Sequence, residues 1–265
     1  MRRVVFNHKG GVGKSTIACN LAAVSAAGGA RVLVVDLDPQ GNATQYLLGK
    51  HGRELEPTLA DFFEQVLGIP LRPRKLDEFI HATRFEGLEL LPSHPALAEQ
   101  QDKLESRYKV FKLREALAEL DKRYDFVYFD APPALNFFTR SALVATDGCL
   151  IPFDCDSFSR RALYTLLEDL AEIRADHNPG LVVEAIVVNQ FLPRARLPQK
   201  MVQELLDEGL PLLQPYLSSS VVVRESHERA LPLVHLAPKH KLTQQYVALH
   251  SALEERRQHE LRRSA

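Results

Sequence analysis

Cysteine is scarce in this chain. Its 265 residues include three, Cys19, Cys149 and Cys155, with no CxxC pair, which excludes a disulfide framework. No stretch approaches the roughly 20 apolar residues of a membrane span. The basic start, Met1-Arg2-Arg3, leads into an apolar stretch far too short for a signal peptide. A cytoplasmic protein is therefore expected. Neither sign of charge is in excess: a formal net charge of -1 gives no whole-molecule attraction to nucleic acid, so any DNA contact must come from a local patch. Internal repeats and low-complexity tracts are also lacking. What is present is a sequence that is 45% hydrophobic and 25% charged, enough to bury a full core in a single domain spanning residues 1–265.

Apolar runs of strand length recur at 2–6, 31–36, 88–91, 126–130, 149–153 and 182–189, rich in Val, Ile, Leu and Phe. Strands buried on both faces look like this. Between them, 15–27, 107–122, 160–175 and 198–208 carry apolar residues at three- and four-residue steps, which predicts helices. Alternating strands and helices predict an α/β fold with a single doubly wound, mostly parallel sheet flanked by helices. Residues 49–86 break the rhythm with Gly49, Gly52, Pro57, Gly68, Pro70 and Pro73, and are read as a surface insertion or small accessory subdomain. A last helix is expected over 243–263, with Leu242, Tyr246, Leu249 and Leu253 on one face.

Lys9-Gly10-Gly11-Val12-Gly13-Lys14-Ser15-Thr16 follows the first strand and opens the first helix. Glycines let backbone N–H groups converge on phosphate oxygens, and the helix N-terminus adds partial positive charge. Lys14 is placed to reach β- and γ-phosphates, the Ser15 hydroxyl to ligate Mg2+, and Thr16 to reach the α-phosphate of ATP. Two further strands end in carboxylates. One runs Val35-Asp36-Leu37-Asp38-Pro39-Gln40-Gly41-Asn42 and the other Phe129-Asp130-Ala131-Pro132-Pro133. In an open α/β sheet such strand ends face the ligand crevice. Side chains alternate along a strand, so Asp36 and Asp38 point the same way while strand geometry lasts. An acid at the Asp130 position holds magnesium and completes what Ser15 begins, whereas a lone strand-end aspartate is as readily a cap.

The general P-loop pattern wants glycine where this chain has His8, and has no requirement for lysine at position 9. On these residues the chain resembles the deviant Walker A ATPases of the ParA/MinD family, whose K-G-G-x-G-K-[S/T] it matches throughout. The other blocks resemble that family's D-x-D-P-Q-G-N and D-x-P-P. The resemblance implies that Lys9 crosses a dimer interface to the partner's nucleotide. It implies too that Asp38 positions or activates the attacking water, while Asp36 supports the magnesium shell or the loop. Asn189, ending a late strand, and Pro215 resemble residues that flank the adenine.

The C-terminal third is more similar to ParA than to MinD, although Ser218–Ser220 stand where the family usually carries a proline and an arginine. A helix-turn-helix operator-binding domain is not expected. The resemblance implies a ParA/Soj-type ATPase, slow on its own, that forms an ATP-dependent homodimer and binds nonspecific DNA. It would segregate or position cargo with a ParB-like or other partner that stimulates hydrolysis, and its ATP-bound state would associate with the nucleoid. From Arg224 onward the chain has eight lysines and arginines against five glutamates, so Arg224, Arg229, Lys239 and Lys241, with Arg194 and Arg196, are the candidate DNA contacts. A MinD-like membrane ATPase would need an amphipathic C-terminal helix. Residues 254–263 have one leucine and mixed charge, so membrane binding is not expected. A metabolic ATP-dependent enzyme on the same fold is the remaining alternative. Of its two forms, an iron–sulfur reductase component would need suitably placed thiolates and a ligase would need a second substrate site.

Overall fold

The structure, a computed structural model, describes residues 1–156 and 159–264. Its strands are β1 (Arg2–Val5), β2 (Val32–Asp36), β3 (His81–Ala82), β4 (Leu88–Leu91), β5 (Phe126–Asp130), β6 (Gly148–Asp154) and β7 (Val182–Asn189). They form one sheet in the order β3-β4-β2-β5-β1-β6-β7. Every pairing is parallel except β3 with β4. The helices are α1 (Lys14–Ala27), α2 (Asn42–Leu48), α3 (Leu59–Leu67), α4 (Leu97–Ser106), α5 (Lys112–Ala118), α6 (Phe137–Ala145) and α7 (Ser159–Asp176). They continue with α8 (Arg196–Asp207), α9 (Val222–Glu228), α10 (Leu233–Leu236) and α11 (Lys241–Ser264).

Strand alternation divides the core into two layers. Along β2, Leu33 and Val35 face one layer with Phe129, Ile151 and the apolar sides of α3 to α8. Val32 and Val34 face the other with Tyr128, Val187 and the apolar sides of α1, α2 and α11. Both faces of the sheet are covered, so the strands read as near-continuous apolar runs. On the second face α11 is tied down by charge as well as packing. The wholly buried Arg3 meets Glu184 of β7 at 2.6 Å and Glu254 of α11 at 2.7 Å.

Two expectations need revising. The helix expected over 107–122 is shorter, α5 spanning Lys112–Ala118; a separate helix, α4, ends before it at Ser106, and Tyr108 between them takes a left-handed φ of 52°. Residues 49–86, read as a surface insertion, do carry an exposed loop with Ile69 and Leu71 in solvent. The same segment sends Leu59, Phe62, Phe63, Leu76 and Phe79 into the main core. Its β3 also forms the antiparallel sheet edge. Burial of that many large side chains makes the segment part of the domain's core layer, worth on the order of 2 kcal/mol for each buried side chain.

Candidate functional site

The sheet register assembles the site. Asp36 pairs with Asp130 across β2 and β5, and Asp130 pairs with Val5 at the end of β1, directly before the glycine-rich loop. Residues far apart in sequence thereby meet at one carboxyl edge, beside the N-terminus of α1.

The loop is held open by its surroundings. Gly11 and Gly13 have φ of 76° and 91°, a region costly for residues with a side chain. A Cβ on Gly13 would lie 2.4 Å from Asn189 Nδ2. Asn7 braces the loop from below, donating to Pro152 O at 2.7 Å and accepting from Lys9 N at 2.9 Å. Gly13 caps α1 without a side-chain hydrogen bond, and the first turn contains no acid. The N–H groups and positive end of that helix therefore face the loop, which suits an anion. Lys14 is buried, its Nζ donating to Lys9 O at 3.0 Å, and burial lowers its pKa against the opposing pull of Asp130 and Asp38.

The three carboxylates differ in their commitments. Asp36 is fully buried and accepts from Thr44 N and Oγ1, both at 2.7 Å, and from Asp38 N at 3.2 Å. Burial nevertheless pushes its pKa to about 7. Its bonds hold the turn from β2 into α2, the loop role of the two expected for it. Asp38 lies beyond the strand end, accepts from Gln40 N at 3.0 Å and is nearly buried. Asp130 is wholly buried, and among the described residues neither of its oxygens has a partner in hydrogen-bonding geometry. Burial, then Asp36, raises its pKa well above the carboxylate range, with Ser15, and more weakly Lys14, pulling it back. An orphaned carboxylate at this depth is costly. It fits a site built for a divalent cation, with Ser15 as the neighbouring hydroxyl.

Lys9 does not turn into its own phosphate loop. Its Nζ lies 2.6 Å from Asp154 Oδ2 at the end of β6 and also contacts Asp156. His8, where the general P-loop has glycine, lies 2.7 Å from Asp169 of α7 and so ties the loop to that helix. Asn189 packs on the loop, donating to Val12 O at 2.8 Å. It also lines a cavity of about 340 Å³ with Gly11, Gly13, Thr16, Gln190, Ser218, Ser219, Ser220, Val221, Val223, Arg224, Leu242 and Tyr246. This cavity adjoins the loop at Gly11, Gly13 and Thr16. Pro215 is outside its lining.

The six candidate DNA contacts, Arg194, Arg196, Arg224, Arg229, Lys239 and Lys241, are all exposed. Arg229 is paired with Glu225 at 2.8 Å. Cys149 is buried and burial raises its thiol pKa, while Cys155 is half-buried and pushed up to about 11. Neither thiol is poised as a thiolate. Among the described residues no helix is long and apolar enough to cross a membrane.

Two partnerships were not expected from sequence. One is the pair of aspartates holding Lys9. The other is His227 of α9, whose Nε2 lies 3.0 Å from Thr16 Oγ1. The Asp-Cys-Asp spacing at the end of β6 was the available signal for the first.

Comparison with known proteins agrees with this geometry. A protein-family model described as "AAA domain" matches residues 3–183. The chromosome-partitioning ATPase Soj of Thermus thermophilus is 38% identical over 206 residues, covering 77% of this chain and 76% of that protein. The chromosome partitioning protein ParA of Myxococcus xanthus is 35% identical over 202 residues, covering 76% and 69%. Among solved structures, a cobyrinic acid a,c-diamide synthase from Mycobacterium smegmatis with a bound ATP analogue and magnesium superposes with a TM-score of 0.80. It is 28% identical, with 95% of this chain and 93% of that one covered. The chain belongs to the ParA/MinD family of P-loop ATPases.

Proposed function

We propose that this chain is a ParA-type ATPase whose ATP-bound form is a sandwich dimer that binds DNA without sequence preference and positions a cargo. The observation that carries the reading is the placement of Lys9. One lysine, Lys14, serves the chain's own loop, while the second is held by Asp154 and Asp156 at the rim. Two triphosphates brought face to face repel unless cations lie between them. A rim lysine exchanging its own carboxylates for the partner's phosphates supplies that charge only when nucleotide is bound.

Within each site, loop N–H groups, Lys14 and Thr16 would hold the phosphates of ATP. Ser15 and Asp130 would hold magnesium, which would supply positive charge to neutralise the charge developing on the phosphates. Asp38 orients the attacking water, and Asn189 closes the base end. A single carboxylate for water activation makes hydrolysis slow until a partner of the ParB kind stimulates it. Exposed cations around α9 and the start of α11 would double in number on dimerisation, which ties DNA binding to ATP. The protein would then be cytoplasmic, and nucleoid-associated when ATP-bound.

The likeness to the Mycobacterium smegmatis synthase favours a second reading, an ATP-dependent ligase acting on an acid. One experiment separates the readings. Asp38→Ala with Mg-ATP is examined by analytical ultracentrifugation and titrated onto random-sequence duplex over a salt series, beside anionic liposomes. The partition reading expects a dimer that Lys9→Ala abolishes, and DNA affinity falling by a log–log slope of about -0.9 for each phosphate contact. Liposome binding without DNA binding would move the protein to a membrane-positioning role. A monomer that hydrolyses ATP only with an acid acceptor would make it a ligase.

A further inference from the structure

We propose that His227 is a positioning residue that couples the nucleotide site to α9 through the hydroxyl of Thr16. The inference rests on the reading that Thr16 faces the α-phosphate, and it adds a route by which phosphate contact reaches the C-terminal third.

The contact belongs to a connected polar network. His227 Nε2 lies 3.0 Å from Thr16 Oγ1, and its ring stacks on Tyr46 of α2 with centroids 4.3 Å apart and planes at 26°. The Tyr46 hydroxyl contacts Ser226 and accepts from Asn20 Nδ2 at 3.1 Å. Asn20 Nδ2 also donates to Thr16 O at 2.8 Å, while its Oδ1 accepts from Leu233 N at 2.9 Å. Ser226 Oγ donates to Leu231 O at 2.6 Å. The first turn of α1, the middle of α2, α9 and the start of α10 are therefore joined by side chains with few alternative partners. Burial keeps the imidazole neutral, with its pKa below the usual histidine value.

Chemistry gives the network a direction. A threonine hydroxyl has one proton to donate and lone pairs to accept with. Turned to a phosphate oxygen, the Thr16 O–H is a donor, and its oxygen is then satisfied by an Nε2–H from His227. Without the phosphate, the same proton is free to go to Nε2. Phosphate contact thus selects one imidazole tautomer and fixes the ring between Thr16 and Tyr46. Arg224 and Arg229 lie on either side of His227 in the same segment, and Arg224 lines the cavity beside the loop. Tyr46 lies on the helix that begins four residues beyond Asp38. One ring therefore touches α1 at the phosphate loop and α2, the helix that follows the Asp38 turn, from a segment that carries two exposed arginines.

The test is a double-mutant cycle read by titration of a fluorescent ATP analogue with magnesium. The variants are Thr16→Ala, His227→Ala, the double variant and His227→Gln, whose amide N–H reaches a similar position. His227→Ala should weaken binding about three- to tenfold, the range of one hydrogen bond. His227→Gln should restore binding to within about twofold, and the double variant should bind no more weakly than Thr16→Ala. Hydrogen exchange supplies a second readout: nucleotide should protect residues 222–229 in the native chain and in His227→Gln, and not in His227→Ala. Unchanged affinity in His227→Ala, or losses that add in the double variant, would overturn the coupling. Lys14→Ala is the control for the underlying reading. If it still binds nucleotide, the phosphate site itself is misplaced, whereas its failure beside a silent His227 defeats the coupling alone. If His227→Ala does not fold, affinity and exchange in His227→Gln against Thr16→Ala decide: loss in His227→Gln equal to that in Thr16→Ala rejects the proposed amide-for-imidazole equivalence.

Discussion

Replacing Asp130 with alanine should stabilise the nucleotide-free protein and destroy its response to Mg-ATP. The carboxylate is wholly buried, with the Ser15 hydroxyl as its neighbouring donor but neither oxygen in a hydrogen bond of full geometry among the described residues. Leaving such a group unsatisfied costs about 1–3 kcal/mol, and more when it is ionised. Alanine forfeits some packing, so a net gain of about 1–2 kcal/mol is expected. For a chain of this size that raises Tm by roughly 2–8 °C. With Mg-ATP at about one hundred times Kd the native protein should gain about 2.7 kcal/mol and the variant little, so the stability ranking inverts. The pH dependence has a fixed sign. Asp130 has a raised folded pKa, so its stability contribution is complete below the ordinary carboxylate value and is lost as pH rises toward the folded one. The advantage of the variant should therefore grow from about pH 4 through neutrality and vanish in acid. Thermal melts in EDTA and in Mg-ATP across that range test both arms. A nucleotide-free variant less stable than the native chain at pH 8, or one equally stabilised by Mg-ATP, would refute the reasoning.

Gly13→Ala should fold and yet lose at least about tenfold in nucleotide affinity, because left-handed backbone with a side chain costs about 1–2 kcal/mol and the new Cβ displaces Asn189; equilibrium titration checks this. Lys9→Ala should leave the nucleotide-free Tm within about 2 °C, since a partly exposed ion pair contributes at most about 1 kcal/mol, while sedimentation with ATP shows no dimer. Glu184→Ala leaves Arg3 buried with Glu254 as its remaining carboxylate. A loss of about 3–5 kcal/mol should appear as a Tm lower by roughly 10 °C in calorimetry.

Much of the fold was legible because β2, β4, β5 and β7 are buried on both faces and so announce themselves as apolar runs. Their boundaries fall within a residue of the sequence reading. The break at Tyr108 was not legible. No glycine or proline marks this turn at the end of α4, which closes with Lys109 N donating to Leu104 O at 3.1 Å. The two-residue β3 is too short for any period to register. In residues 49–86 the glycines and prolines dominated the reading. The apolar face of α3, with its Thr58–Asp61 capping box, is the signal of burial there.

The site divides along the same physical line. That Asp36 and Asp130 lie together at strand ends, beside Lys14 and Ser15 at the start of α1, was readable from order and spacing, since a parallel sheet must bring its carboxyl edges together. Side-chain partnerships across the sheet leave no such mark. Thr16 and His227 are 211 positions apart, and nothing local distinguishes this histidine from one on a solvated helix. Lys9 shows why the distinction matters for mechanism. Its identity pointed to a partner's nucleotide, and under the proposed function the contacts with Asp154 and Asp156 are those it would have to leave. The carboxylates that hold it also accept from Ser159, Asp154 from its hydroxyl at 2.7 Å and Asp156 from its backbone N–H at 3.0 Å, so each would retain a donor if the lysine left. An exchange of one ion pair for another at a partly exposed rim costs little, and a nucleotide-dependent dimer needs a change of that size if it is to be reversed.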